Sequence, residues 1–265
     1  SKGDDPKDYD FETDTEIHVQ GVNTDDETGI RYGMLVEFEA DGNSTANTDE
    51  AWIFVDGGFG GFRLGDEDGA LDNSKIGAAN IAAGTGGIDG DGAVATSPFA
   101  PTNSGDSTKI RYDSPSIAGF TIHGSFTPAG DSIGSDFAQD DEVEYEEWVE
   151  TALVYTGSFG GLDLQAGGAL GFNSGSNGAD DFMGWNLGAI VGFQGFQLAG
   201  SYWQDEDGPD GDKTGVTAGA AASLGPADLS LTYAGVIDSD NDPGGEESQN
   251  IVLSATMGIL PGMSI

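Results

Sequence analysis

The chain contains no cysteine in its 265 residues, which removes disulfides, thiolate metal ligands and cysteine nucleophiles from consideration. It is also poor in positive charge. Only 8 residues are Lys or Arg against 47 Asp or Glu, a formal net charge of −39, so nothing could neutralise phosphates and nucleic acid is excluded as a partner. The only two histidines, His18 and His123, lie far apart in sequence, and the acidic pairs are too abundant for any one pair to signal glycoside hydrolysis. No nucleotide-binding fingerprint follows a strand and opens a helix. No enzyme is expected. No apolar run approaches the roughly 18 residues of a membrane helix, so any membrane crossing must be made by strands. Hydrophobic residues are 37% of the chain, a thin supply for a dry core but enough for a barrel that is apolar only on its outside.

What is present in excess is glycine, 45 residues, and much of it recurs in one six-residue pattern: apolar, any, Gly, apolar, polar, apolar. The copies are Phe59 to Leu64, Ile117 to Ile122, Phe159 to Leu164, Phe193 to Leu198 and Leu260 to Ile265, with a looser one at Leu224 to Leu229. Each reads as a tight turn with glycine where positive φ or close backbone approach is needed, followed at once by a new strand. Between these turns the connections are long and acidic. Strict alternation of short and long connections implies a barrel with one plain rim and one elaborated rim, as in outer-membrane pores.

Thirteen strands are expected, near residues 11–22, 30–40, 49–57, 61–67, 107–115, 119–128, 146–158, 161–173, 181–193, 196–205, 214–224, 227–238 and 247–259. Most have the about 9–11 residues a tilted strand needs to cross hydrocarbon. Alternation assigns their faces. Ile30, Tyr32, Met34, Val36 and Phe38 oppose Arg31, Glu37 and Glu39; Leu162, Leu164, Ala166 and Leu170 oppose Asp163 and Gln165; Ile251, Leu253, Ala255 and Met257 oppose Ser254 and Thr256. Ala51 to Val55 is apolar on both faces and leaves its orientation open. Phe59, Phe62, Phe120, Phe159, Phe193 and Phe196 gather at the tight turns, either as an interfacial girdle or as a plug in the narrow end. Trp52, Trp148, Trp185 and Trp203 lie nearer the long connections, where they would supply an opposite girdle.

The segment Asp49 to Ala70, DEAWIFVDGGFGGFRLGDEDGA, resembles the strand–turn–strand unit that precedes the constriction loop in Gram-negative trimeric general-diffusion porins, of the alphaproteobacterial type in particular. The resemblance extends over the chain as hairpin order. It implies an all-β fold: a transmembrane antiparallel β-barrel of sixteen strands when complete, with a long loop folded into the lumen. Residues 1–265 would then be a single barrel domain, incomplete at both ends, and 66–107 its constriction loop. The charged start, Ser1 to Asp10, and an end at Ile265 where a strand begins read as the interior of a longer secreted precursor. The resemblance further implies outer-membrane lipid as surroundings, a homotrimer, and passive diffusion of small hydrophilic solutes and ions.

Asp66 to Ser107 holds no convincing strand, and a loop of that length needs a function. Small residues from Ile76 to Gly87 suit packing inside a barrel, while Asp66, Glu67, Asp68, Asp72, Asp89 and Asp91 supply negative charge. The other reading is an external loop. Arg31, Arg63, Lys109 and Arg111 fall on inward faces by parity. Porins are similar in opposing such a basic cluster to acidic loop residues, which implies a transverse field with these residues lining the pore. The alternative is local pairing with carboxylates such as Glu37 or Asp113. The acidic excess favours cations. It would also repel itself unless salt screens it, which suits a saline habitat, although acidic loops also simply keep a surface soluble. The runs Asp205 to Asp212, Gly87 to Gly92 and Asp238 to Glu247 resemble calcium loops, but none has the full EF-hand spacing, and calcium stays open as a ligand. The rival class is a secreted acidic calcium-binding β-protein, adhesin-like, whose apolar faces would point inward.

Overall fold

Period-two alternation puts successive side chains on opposite faces, and tight turns with two positive-φ residues return the chain beside itself with the right twist. The computed structural model describes residues 15–40, 48–84, 99–129, 145–175, 180–208, 211–239, 248–261 and 263–264. Its strands are β1 (Glu16–Thr24), β2 (Arg31–Glu39), β3 (Thr48–Gly57), β4 (Gly60–Asp66), β5 (Thr108–Asp113), β6 (Phe120–Ala129) and β7 (Tyr145–Phe159). They continue as β8 (Leu162–Gly175), β9 (Phe182–Phe193), β10 (Phe196–Glu206), β11 (Lys213–Leu224), β12 (Ala227–Ser239), β13 (Gln249–Leu260) and the two-residue β14 (Met263–Ser264). Between β4 and β5 lie a short helix, α1 (Ala70–Ser74), and a 3-10 turn at Ala79–Ile81. These helical pieces were not expected from sequence.

Every strand pairs antiparallel with its sequence neighbours, giving one meandering sheet in the order β1 to β14. Among the described residues β1 pairs with β2 alone, so the sheet is open there. Thirteen strands fall where alternation placed them; of the first, expected at 11–22 and observed at Glu16–Thr24, residues 11–14 lie outside the described residues. Its turn into β2 is short, with the Asp25 carboxylate accepting from the Glu27 amide at 3.0 Å and from the Thr28 hydroxyl at 2.7 Å. In the turns of β7–β8 and β9–β10, φ is positive at both central residues: 59° and 88° at Gly160 and Gly161, 51° and 84° at Gln194 and Gly195.

Register carries the two faces across the sheet as continuous rows. On one face Met34, Ile53, Leu64, Ile110, Phe126, Val149, Phe172 and Met183 stand side by side. On the other, the row is Phe54, Arg63, Arg111, Ser125, Glu150, Gly171, Gly184 and Asp205. The first face is solvent-accessible and apolar, with Leu253 79% exposed and Ile251 71% exposed, as a lipid-facing surface requires. An adhesin-like sandwich would bury that face, and this one does not. The ambiguous strand is now oriented: Ile53 and Val55 are exposed, while Phe54 is buried on the inner face with Trp52 against it.

The phenylalanines at the tight turns are exposed, and Phe62 and Phe120 pack on the outward Tyr112 and Tyr155 with ring centroids 4.7 and 4.8 Å apart. They form a rim girdle rather than a plug. The expected tryptophan girdle is not found. Trp148 and Trp203 are buried on the inner face and Trp52 points inward beneath Arg63, leaving only Trp185 outside, against Tyr202 at 5.3 Å. Strand parity, more than nearness to a rim, decides where a side chain lies.

Dry packing occurs where residues 70–84 cross the inner face. Leu71 sits against Ala152 and Ala169; Ile76 and Ile81 against Ile190; Ala78 against Ala234 and Val252.

Candidate functional site

Small side chains on both sides make this crossing possible. A Cβ built on Gly188 of β9 would fall 1.8 Å from the carbonyl oxygen of Ile76, and one on Gly171 of β8 would meet Leu71 Cδ1 at 3.0 Å. The wall also supplies hydrogen-bond acceptors to the loop backbone, whose amides would otherwise be buried and unsatisfied. Ala70 N donates to Ser125 Oγ at 2.9 Å, Ala78 N to Thr217 Oγ1 at 3.0 Å and Ala83 N to Ser230 Oγ at 2.8 Å. The buried Glu150 of β7 accepts from Leu71 N at 3.1 Å, Ser104 N at 2.8 Å and Ser125 Oγ at 3.1 Å. Asp205 of β10 takes both the amide of Thr102, 3.1 Å from each carboxylate oxygen, and its hydroxyl at 2.8 Å.

The expected basic residues all sit on inward positions, but in two settings. Arg31 is 45% exposed in its side chain, pairs with Asp56 at 2.8 Å and lies 4.6 Å from the Phe54 ring centroid. Arg63 pairs with Asp113, stands 3.8 Å from Glu67 and covers the Trp52 ring at 5.2 Å. Arg111 is buried, held by Glu67 at 3.1 Å, by Asp113 at 3.1 Å and by the Asp68 carbonyl at 3.1 Å. Lys109 is also buried, and its ammonium donates to the carbonyls of Glu67 and Gly105. Arg63 and Arg111 stand directly opposite each other in register, which would be repulsive without the carboxylates between them. His123 completes the group, its Nδ1 2.7 Å from Asp113. Glu37 pairs with His18 at 3.1 Å rather than with an arginine.

Of the expected acidic residues, Asp66 closes β4 opposite Thr108 and accepts its hydroxyl. Glu67 and Asp68 begin the loop. Asp89 and Asp91 lie outside the described residues, as do all of Gly87 to Gly92 and most of Asp238 to Glu247. Burial pushes the Glu67 carboxyl up to about 7 against the opposing pull of Arg111 and Arg63. Burial raises Asp68 to about 7 as well, helped by Asp72 and Asp106, and raises Asp106, helped by Asp49. Asp68 and Asp106 from the loop and Glu50 from β3 bring carboxylate oxygens within 4.8 Å of one another, and among the described residues no basic side chain forms an ion pair with any of the three. Chemically, such a cluster can offer oxygen ligands to a cation and repel an anion.

Glu150, Ser125, Thr217 and Ser230 were not singled out from the sequence, and Asp205 only as the start of a calcium-like run. For Glu150 a signal exists: a lone carboxylate on the inward parity of an otherwise apolar run, Val149 to Tyr155. Inward glycines at Gly167, Gly171, Gly188 and Gly219 are a second signal, marking where another backbone approaches.

The sequence profile of the Gram-negative porin family matches residues 2–259 of the chain. Among solved structures the chain is similar to the anion-selective porin from Comamonas acidovorans, at 20% identity and TM-score 0.62, over 94% of this chain and 75% of that one. It is also similar to a mutant of the Rhodopseudomonas blastica porin, at 16% identity and TM-score 0.60, over 94% and 81%. In-vitro folded OmpT, an outer membrane protein of Vibrio cholerae, matches at 14% identity and TM-score 0.62, over 93% and 75%. At these identities the likeness is one of fold. No curated protein matches.

Proposed function

The chain belongs to the Gram-negative porin family, and from that membership we propose a general-diffusion pore that prefers cations, narrowed by the segment Asp66 to Ser107 and assembled as a homotrimer. As a porin it is an outer-membrane channel and not an enzyme. The reading of residues 66–107 as the constriction is supported by the packing of residues 70–84 across the inner face of β6 to β13. Solutes would pass through the space left between that segment and the opposite wall. Deleting residues 70–84 should then raise single-channel conductance, and an unchanged conductance would sink the constriction reading.

Selectivity cannot be borrowed from the fold, since the Comamonas neighbour is by its name anion-selective. One observation carries the preference for cations: Arg63 and Arg111 are matched by Asp113 and Glu67, whereas Glu50, Asp68 and Asp106 crowd together and, among the described residues, no basic side chain forms an ion pair with them. The net charge of −39 acts in the same direction at the mouth and fits a saline setting, where the Debye length falls to about 3 Å at 1 M salt. Arg31, Arg63, Lys109 and Arg111 then belong to the wall chiefly as partners of carboxylates and of the loop, with Arg31 the most open to the water-filled path. Reversal potentials across a potassium chloride gradient decide the sign. Anion preference would overturn this reading.

A further inference from the structure

Two buried wall residues of opposite charge each hold both ends of the loop. Lys109, 1% exposed on β5, donates to the Glu67 carbonyl on the outgoing limb and to the Gly105 carbonyl on the returning limb. Glu150, 1% exposed on β7, accepts from Leu71 N on the outgoing limb and from Ser104 N on the returning one. The two interact electrostatically. The chemistry is complementary: an ammonium has only donors and takes carbonyls, whereas a carboxylate has only acceptors and takes amides. Gly69 is part of the arrangement, because a Cβ there would lie 1.8 Å from Glu150 Oε2. Asp205, by contrast, holds the returning limb alone, through Thr102.

We propose that Lys109 and Glu150 act together as a two-limb clamp that positions the loop root and so sets the width of the channel; the proposal rests on the constriction reading above. Neither residue needs to meet the solute. They act through the loop, with the exposed charges tuning which ion enters and the clamp deciding how wide the passage is. A buried pair retained purely for barrel stability would behave differently, since its loss would weaken the whole sheet and leave the conductance of each folded channel alone.

The test uses single-channel conductance in planar bilayers, with heat-modifiable gel mobility reporting whether the barrel is folded. Glu150→Ala and Lys109→Met should each replace the parent's discrete conductance level by a broad distribution shifted upward, in barrels that remain folded. The double variant should be no broader than the worse single one, because both residues belong to one device. Asp205→Ala should shift the level less. Since the chain has no cysteine, Leu71→Cys with Ala169→Cys adds a single reversible tether at an observed contact. In the Glu150→Ala background, oxidation should restore the parent level and reduction should remove it. Should Glu150→Ala not fold, Glu150→Gln keeps the volume and one acceptor oxygen, and the same tether is applied to it. A parent-like level in folded Glu150 and Lys109 variants, or a broadened level that the tether does not narrow, overturns the clamp. If deletion of residues 70–84 raises conductance while these variants do not, the clamp fails and the constriction stands; if neither does, the constriction reading has failed.

Discussion

The inner faces of β1–β4 and of β6–β13 belong to one sheet yet are built from different residues. The first carries long or charged side chains, among them Glu16, His18, Arg31, Glu37, Trp52, Phe54 and Arg63, and β1 is exposed along its whole length. Where residues 70–84 lie on it, the second is lined by Ala152, Gly167, Ala169, Gly171, Gly188, Thr217, Gly219, Ser230 and Ala234. A loop can seat itself only where the wall is low enough to admit its backbone and polar enough to accept its amides. The difference lies in what each wall can receive: among the described residues, only the second is a bed for residues 70–84.

Both walls share an apolar exterior, and the largest effect expected is there. Leu253→Arg, facing hydrocarbon, should cost about 2–4 kcal/mol near the midplane, while Gln165→Arg, on the inner face beside open space, should cost far less. Urea titration of refolding into lipid vesicles checks this, and equal sensitivity of the two positions would break the assignment of faces. Next in size is the bed itself. Gly188→Val should cost about 1–3 kcal/mol by displacing Ile76, whereas Gly258→Ala, with nothing near its Cβ, should be close to neutral. Protease cleavage between residues 75 and 84 in the folded protein should appear in the first variant only.

A smaller effect concerns charge on the open side. Asp68 is raised to about 7 mainly by burial, so between the unfolded carboxylate value and about 7 the folded state holds more protons than the unfolded one. Stability of the loop root should therefore fall as pH rises from about 4 to about 7. Cation preference should strengthen later, across about pH 6 to 8, where the folded-state carboxyl itself ionises. Asp68→Asn should flatten both trends, read as amide exchange in α1 and as reversal potential. The smallest shift is expected from neutralising Arg31, Arg63 and Arg111 together. Cation preference should rise modestly, with Arg31 contributing most because Arg111 is buried among carboxylates. A larger change from Arg111 alone would mean that it faces the permeation path.

Much of the scaffold was legible in the chain because its determinants are local. Leu162, Leu164 and Leu170 against Asp163 and Gln165 need only the period of a strand to be sorted, and Gly160–Gly161 or Gln194–Gly195 need only their own dihedral angles to reverse the chain. The tryptophans show where this failed. Trp148 and Trp203 were placed by nearness to the long connections, but their inward parity buries them, Trp148 with its ring 5.3 Å from Phe182. The grip of Glu150 was missed for a different reason: its partners Leu71 and Ser104 lie 79 and 46 residues away, and no pattern along the strand reveals them.

By itself, then, the sequence determined the number and order of strands, the apolar side of each and the sign of the charge, since alternation, turn chemistry and composition are properties of neighbouring residues. The tertiary structure alone decided that residues 70–84 lie on β6–β13, that Arg63 and Arg111 share Asp113 and Glu67, and that Lys109 and Glu150 are closed off from water. Those outcomes depend on which distant side chains the register brings into one row, and on whether a buried donor there finds an acceptor, which the order of residues along the chain does not specify.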